Sequence, residues 1–154
     1  MKIRIIYDSK FNNNKEIADS IGRLFESGNQ LEIGHAKDLS PESVLKSDPD
    51  LVIFGGPTRV GQISGTIKKW IKKFDNLQVK NGSNLKKAAA FATHLSYTDI
   101  TPKWTEFLKT LHISELIYPD VLDIVVMDLK GPREKDAQSK IEDFVGKLKA
   151  SINN

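Results

Sequence analysis

Three short stretches of this 154-residue chain carry the residue types best suited to holding a ligand. The first is DSKFNNN, residues 8–14, which follows an apolar run and feeds into a helical pattern. Ser9, Asn12, Asn13 and Asn14 supply neutral donors there, and asparagine tolerates left-handed backbone better than most residues. A loop that enters a helix also gathers backbone N–H groups at the positive end of the helix dipole. The stretch 9–14, with Lys10 and Phe11 included, therefore reads as an anion cradle built mainly on neutral donors. It reads equally as a plain turn with a helix cap, since Asn and Ser favour both. The second stretch is GGPTRVG, with Pro57, Thr58, Arg59, Val60 and Gly61 after two glycines that allow close backbone approach. The third is THLSYT, where Thr93, His94, Leu95, Ser96 and Tyr97 combine hydroxyls with a ring able to stack on a flat ligand.

Regular elements have to bring these loops together. Ile3, Ile5, Ile6 and Tyr7 read as a strand, and the continuous apolar run Leu51-Val52-Ile53-Phe54 reads as a strand buried on both faces. Leu31 to Ile33, Ala88 to Thr93 and Leu122 to Met127 read as three more strands. Between them, apolar residues recur at helical spacing: Ile17 to Phe25, a short helix capped by Ser40 with Pro41 first, and Ile63 to Phe74 in a helix starting at Gln62. Two more start at Thr101-Pro102, with Trp104 on the stripe, and at Gly131-Pro132. Strict alternation of strand and helix implies a three-layer α/β domain with a five-stranded parallel sheet, doubly wound. Ligands of such sheets sit outside the carboxyl ends of the strands, where all three loops fall. Trp70 and Trp104 are expected in the core. No linker or repeat divides the chain, so residues 1–154 are expected to form one domain.

The stretches IIYDSKFNNNKEIA, LVIFGGPTRVGQISGTIKKWI, AAAFATHLSYT and LKGPREKDAQSKIEDFVGKL together resemble the flavodoxin family, in the right order and over nearly the whole chain. The resemblance implies strand order 2-1-3-4-5, the short-chain type, and one bound FMN. It implies that Ser9, Lys10, Phe11, Asn12, Asn13 and Asn14 hold the phosphate. It implies that Pro57, Thr58, Arg59, Val60 and Gly61, with Thr93, His94, Leu95, Ser96 and Tyr97, flank the isoalloxazine ring, Tyr97 stacking on it. The implied role is electron transfer with a redox partner protein, as a carrier or an FMN-dependent oxidoreductase domain, in the cytoplasm, as a monomer or weak dimer. The alternative is a flavodoxin-fold protein that has lost its flavin and serves as a binding module. The chain departs from the family in three places. Asn12 and Asn14 replace a glycine and a threonine, Arg59 and Val60 stand where an aromatic is common, and the sequence pI is near 9.0 where flavodoxins are acidic.

Other chemistries are excluded by composition. The absence of cysteine removes disulfides, thiolate nucleophiles and cysteine-held metals. His35 and His112 share no ligand spacing. Phe54-Gly55-Gly56 leaves no aspartate for a phospho-receiver, and no G-x-G-x-x-G follows the first strand. No apolar run is long enough to span a membrane, and nothing but one lysine-rich helix speaks for nucleic acid. The net charge is +3, and residues 59–87 carry 8 basic side chains against 1 acidic. Lys68, Lys69, Lys72 and Lys73 are either a solvated helix face or a docking surface for an acidic partner. His94 is either a group near reduced flavin or an exposed loop histidine, and Asp8 either borders the ligand or belongs to the turn.

Overall fold

A computed structural model describes residues 1–95, 99–112 and 114–154, with the backbone alone for 114–116. The elements in chain order are β1 (Lys2–Tyr7), α1 (Asn13–Phe25), β2 (Gln30–His35), α2 (Pro41–Lys46), β3 (Leu51–Arg59), β4 (Gln62–Ile63), α3 (Gly65–Asn81), β5 (Leu85–His94), α4 (Thr101–Lys109), β6 (Ser114–Val125) and α5 (Ala137–Asn153). Five strands form a parallel sheet in the order β2-β1-β3-β5-β6, and β4 pairs antiparallel with β3 at the side. Numbering only the parallel strands, this is the expected order 2-1-3-4-5.

Alternation along each strand divides the interior into two layers. Ile3, Ile5, Leu51, Ile53, Phe91, Leu122 and Ile124 pack under α1 and α5. Ile6, Val52, Phe54, Ala88, Ala90 and Ala92 pack on the other face, under α2, α3 and α4. The alanines of β5 leave space for large helix side chains. Trp104 is fully buried there, and Trp70 stacks on Phe74 at 5.4 Å between centroids. The Trp70 indole N–H donates to the Leu39 carbonyl at 2.6 Å, so its one polar atom is satisfied. Both tryptophans are core, as their helical phase implies.

Several boundaries differ from expectation. The helix after the second loop begins at Gly65, not Gln62, because Gln62–Ile63 turns back to pair with Thr58 and Arg59. Val60 (φ 50°) and Gly61 (φ 72°) make that two-residue turn, and hairpins of this kind need positive φ at both central positions. The same helix runs to Asn81 and closes on Gly82 in left-handed geometry. β6 begins at Ser114, well before Leu122, and its pairing with β5 slips between Ala88 and Ala90. The irregular patch around Tyr118 and Pro119 hid this strand from a periodicity argument. α5 begins at Ala137, so Gly131 and Pro132 belong to a loop, where Val126 and Arg133 form an isolated bridge.

Candidate functional site

At the carboxyl ends of β1, β3 and β5 lies a cleft of about 550 Å³ with largely apolar walls. The loop after β1 is tied down at its start. Asp8 N–H donates to the Gly55 carbonyl at 2.9 Å, and the Asp8 carboxylate accepts a short hydrogen bond from the Ser64 hydroxyl beside α3. His35 at the end of β2 lies 3.4 Å from the same carboxylate, and the Ser9 N–H donates to its ring at 3.3 Å. Asp8 therefore anchors the loop to three neighbouring elements. Asn12 then takes the left-handed conformation (φ 66°) that lets the chain turn into α1.

The two following asparagines reach far along the chain. Asn13 donates from its amide to the Leu129 carbonyl at 3.2 Å, and its oxygen faces the Arg133 guanidinium at 3.5 Å. Asn14 is buried and donates to the Thr93 hydroxyl at 2.9 Å, leaving its own carbonyl oxygen buried without a partner. The two orientations of an amide have the same shape. Turned over, Asn14 would accept from the Thr93 hydroxyl and present its NH₂ as the unshared group. The Ser9 hydroxyl is another buried polar atom without a partner at this edge.

From β3, Thr58 is buried and its hydroxyl accepts the Trp104 indole N–H at 3.2 Å. That bond leaves the Thr58 proton for another acceptor. Val60, at the hairpin tip, is fully exposed. Gly55 and Gly56 serve packing within the protein as well as backbone approach. A Cβ on Gly55 would lie 1.9 Å from Phe91, and one on Gly56 would lie 3.2 Å from Ile67.

Ser9, Lys10, Phe11, Asn13, Asn14, Pro57, Thr58, Arg59, Val60 and Gly61 all line the cleft, as do Thr93, His94 and Leu95. Asn12 does not; its part is the backbone turn. Ser96 and Tyr97 lie outside the described residues. His94 is buried rather than exposed, with its Nε2 in a short contact with the Asp123 carboxylate. Sequence reasoning missed Asp99, Ile100 and Lys103 near the start of α4, and Val126, Asp128 and Leu129 after β6. The signal was available for the latter, since the end of β6 must lie at the same edge as the other strand ends. Three cations on the wall, Lys10, Arg59 and Lys103, face two carboxylates, Asp99 and Asp128.

The lysine helix is less uniform than its sequence. Lys73 pairs with Glu42 at 2.7 Å, and Lys68 is half-buried over the Phe107 ring at 5.3 Å, while Lys69 and Lys72 are exposed. Among the described residues no group of three or more His, Cys, Asp or Glu could hold a metal ion, and no helix is long and apolar enough to cross a membrane.

No family model matches the chain, and no curated protein matches it. Solved structures do. The chain superposes over 99% of its length on rubredoxin oxygen:oxidoreductase from Desulfovibrio gigas, with a TM-score of 0.77 and 17% identity, and spans only 36% of that chain. Oxidised flavodoxin 1 from Bacillus cereus matches at a TM-score of 0.69 and 20% identity, covering 96% of this chain and 97% of that one. A cysteine-to-serine mutant of flavodoxin from Pseudomonas aeruginosa matches at 0.73 and 12%, with both chains covered completely. The backbone, the strand order and these superpositions together give the chain the flavodoxin-like fold.

Proposed function

We propose that this chain binds FMN in the cleft and transfers electrons with a redox partner protein. The observation that carries the proposal is the convergence of three strand-end loops and a helix N-terminus on one apolar cleft. Its volume of about 550 Å³ suits a ligand of that size. The first N–H groups of α1 have no partner within the helix and would receive the phosphate, with Ser9 and a turned-over Asn14 as side-chain donors. Thr58, its hydroxyl oriented by Trp104, would hold a polar edge of the ring. Val60, Leu95 and Leu129 would cover its apolar faces, and Tyr97 remains a candidate for stacking. FMN supplies the one- or two-electron chemistry; the chain's own residues bind it, orient it and exclude water.

The test is a titration with FMN followed by absorbance and calorimetry. Expected is a saturable spectral change with micromolar or tighter affinity; its absence at high FMN concentration overturns the proposal. A flavin-free binding module is the second reading, favoured by one observation: the amides of Asn13 and Asn14 both donate within the protein. Asn12→Gly combined with Asn14→Thr separates the two, because it should tighten FMN under the first reading and do nothing under the second.

The proposed partner surface is the rim of the cleft together with the first turns of α3, and the proposed place of work is the cytoplasm. Lys69 and Lys72 with the rim cations give that side a positive field suited to an acidic partner. Replacing all four of Lys68, Lys69, Lys72 and Lys73 by Glu should slow electron exchange at low salt and matter little at high salt.

A further inference from the structure

We infer that His94 and Asp123 form a proton-exchanging pair that takes up one proton when the ligand in the cleft gains negative charge. The inference rests on the FMN reading above and adds to it a coupling between electron and proton. His94 ends β5, and Asp123 lies on β6, where Ala92 is its register partner. His94 lines the cleft yet is only 6% exposed, and its Nε2 meets the Asp123 carboxylate in a short contact.

An ionised carboxylate only accepts, so Nε2 carries the hydrogen in that contact. Nδ1 is then the open position of the ring. It is buried and makes no hydrogen bond. In the neutral ring Nδ1 is a bare acceptor, and a buried acceptor without a donor is unfavourable. In the protonated ring Nδ1–H is a charged donor, and Asp123 is already in place to compensate the charge. The neutral ring therefore lacks a donor and the charged ring lacks an acceptor, and an anionic ligand supplies the acceptor.

The surrounding charges make the ligand decisive. Behind the pair, Lys140 donates to the Asp123 main-chain carbonyl at 3.3 Å and to Glu134 at 2.7 Å. Burial works against the Lys140 cation, but Glu134, Asp123 and Asp136 outweigh it and keep its pKa above the ordinary lysine value. Lys140 thus stays charged throughout the range in which a histidine titrates. From the other elements, Asp128 follows β6, Asp99 and Lys103 belong to the approach and first turn of α4, and Lys10 and Arg59 stand on the loops after β1 and β3. Five carboxylates, Asp99, Asp123, Asp128, Glu134 and Asp136, and four cations, Lys10, Arg59, Lys103 and Lys140, stand at the cleft or behind the pair. None of these groups gains charge when the ligand is reduced, whereas the ligand does, so a change in the proton affinity of His94 on reduction follows the ligand. An electron from an external reductant goes to the ligand, one proton from bulk water bonds to Nδ1, and no covalent bond to the ligand forms. A merely structural clamp between β5 and β6 would keep one protonation state whatever the ligand does.

The experiment follows the His94 ring by NMR over pH 5–9 in the wild-type protein saturated with FMN, first oxidised and then reduced with dithionite. Midpoint potentials are recorded against pH for wild type, His94→Gln and Asp123→Asn. Expected is a rise in the His94 titration midpoint of about one pH unit or more on reduction, a tenfold change in proton affinity. The potential should then fall with rising pH most steeply between the two midpoints, and His94→Gln should lose that part of the slope. Asp123→Asn should lower the His94 midpoint in both states. An identical His94 midpoint in the two states overturns the inference while FMN binding stands. An absorbance titration with no FMN uptake overturns the flavin reading and this inference with it.

Discussion

The two edges of the sheet are built to different standards. At the amino-terminal edge, Asp50 immediately precedes β3 and clamps its neighbours. Its carboxylate accepts the Lys2 N–H at 2.8 Å and pairs with Lys86 at 2.7 Å, while its own N–H donates to the Lys2 carbonyl. At the carboxyl edge, Asn12 and Val60 hold left-handed backbone, Ser9, Asn14 and His94 keep buried polar atoms without partners, and Val60, Leu95 and Leu129 stand exposed. Strain, unshared polar atoms and exposed apolar groups each cost stability; the amino edge has some of them, with left-handed Asp48, the unpartnered Ser83 hydroxyl and exposed Val79, but more gather round the cleft. The difference is one of degree: hydrogen bonds among its own strands close more of the first edge, and the surplus of unshared groups at the second is what the proposed ligand would answer.

Substitutions at the two edges should therefore separate ligand affinity from stability. The largest effect belongs to Asn14→Asp. A carboxylate about 5 Å from a phosphate should lower FMN affinity by about 3 kcal/mol, roughly a hundredfold, as a calorimetric titration would read. An unchanged dissociation constant removes Asn14 from the site. Gly55→Ala comes next, beneath both the cleft and the core. Its Cβ collides with Phe91, and overpacking of this kind should cost about 2 kcal/mol in denaturant unfolding.

Asp50→Ala probes the amino-terminal edge. The Lys86 ammonium, and after it the Lys2 N–H, hold the Asp50 carboxyl below its ordinary range. A carboxyl with a depressed folded pKa adds stability above its unfolded pKa and loses it as pH falls through the folded value. The variant should thus lose about 1 kcal/mol at neutral pH, and the deficit should vanish as pH drops below about 4, with FMN affinity unaltered throughout. The smallest effect is expected at Val60→Asn. Asparagine relieves the left-handed strain of a branched residue and should raise stability by about 0.5 kcal/mol, while FMN binding weakens a few-fold for want of an apolar cover. Tighter binding would mean that Val60 does not cover the ligand.

Much of this arrangement was legible in the sequence. Ile3, Ile5, Val52 and Phe54 lie in strands buried on both faces, where apolar runs speak clearly, and helical phase placed Trp70 and Trp104 correctly inside. The loops after β1, β3 and β5 were legible because their composition breaks from the apolar strands before them. What failed was whatever depends on partners distant in the chain. Gln62 and Ile63 continue a helical pattern, yet the positive φ of Val60 and Gly61 folds them onto β3. His94 looks like a loop residue until β6 brings Asp123 beside it. The glycines of the second loop suggested a ligand, and Phe91 turned out to occupy the space over Gly55.

The staples of the first loop also have a consequence in time. Asn14 meets Thr93, 79 positions later, and Asn13 meets Leu129, 116 positions later, while Glu16 pairs with Arg133 at a separation of 117. During synthesis the first loop leaves the ribosome early, but the partners that fix its asparagines arrive much later, the last of them near the end of the chain. At about 5–20 residues per second that is a wait of several seconds. Until then the loop is held only at its start, through Asp8 and Ser9, so a nascent or truncated chain ending before Leu129 would carry every residue of the first loop without the full geometry to use it.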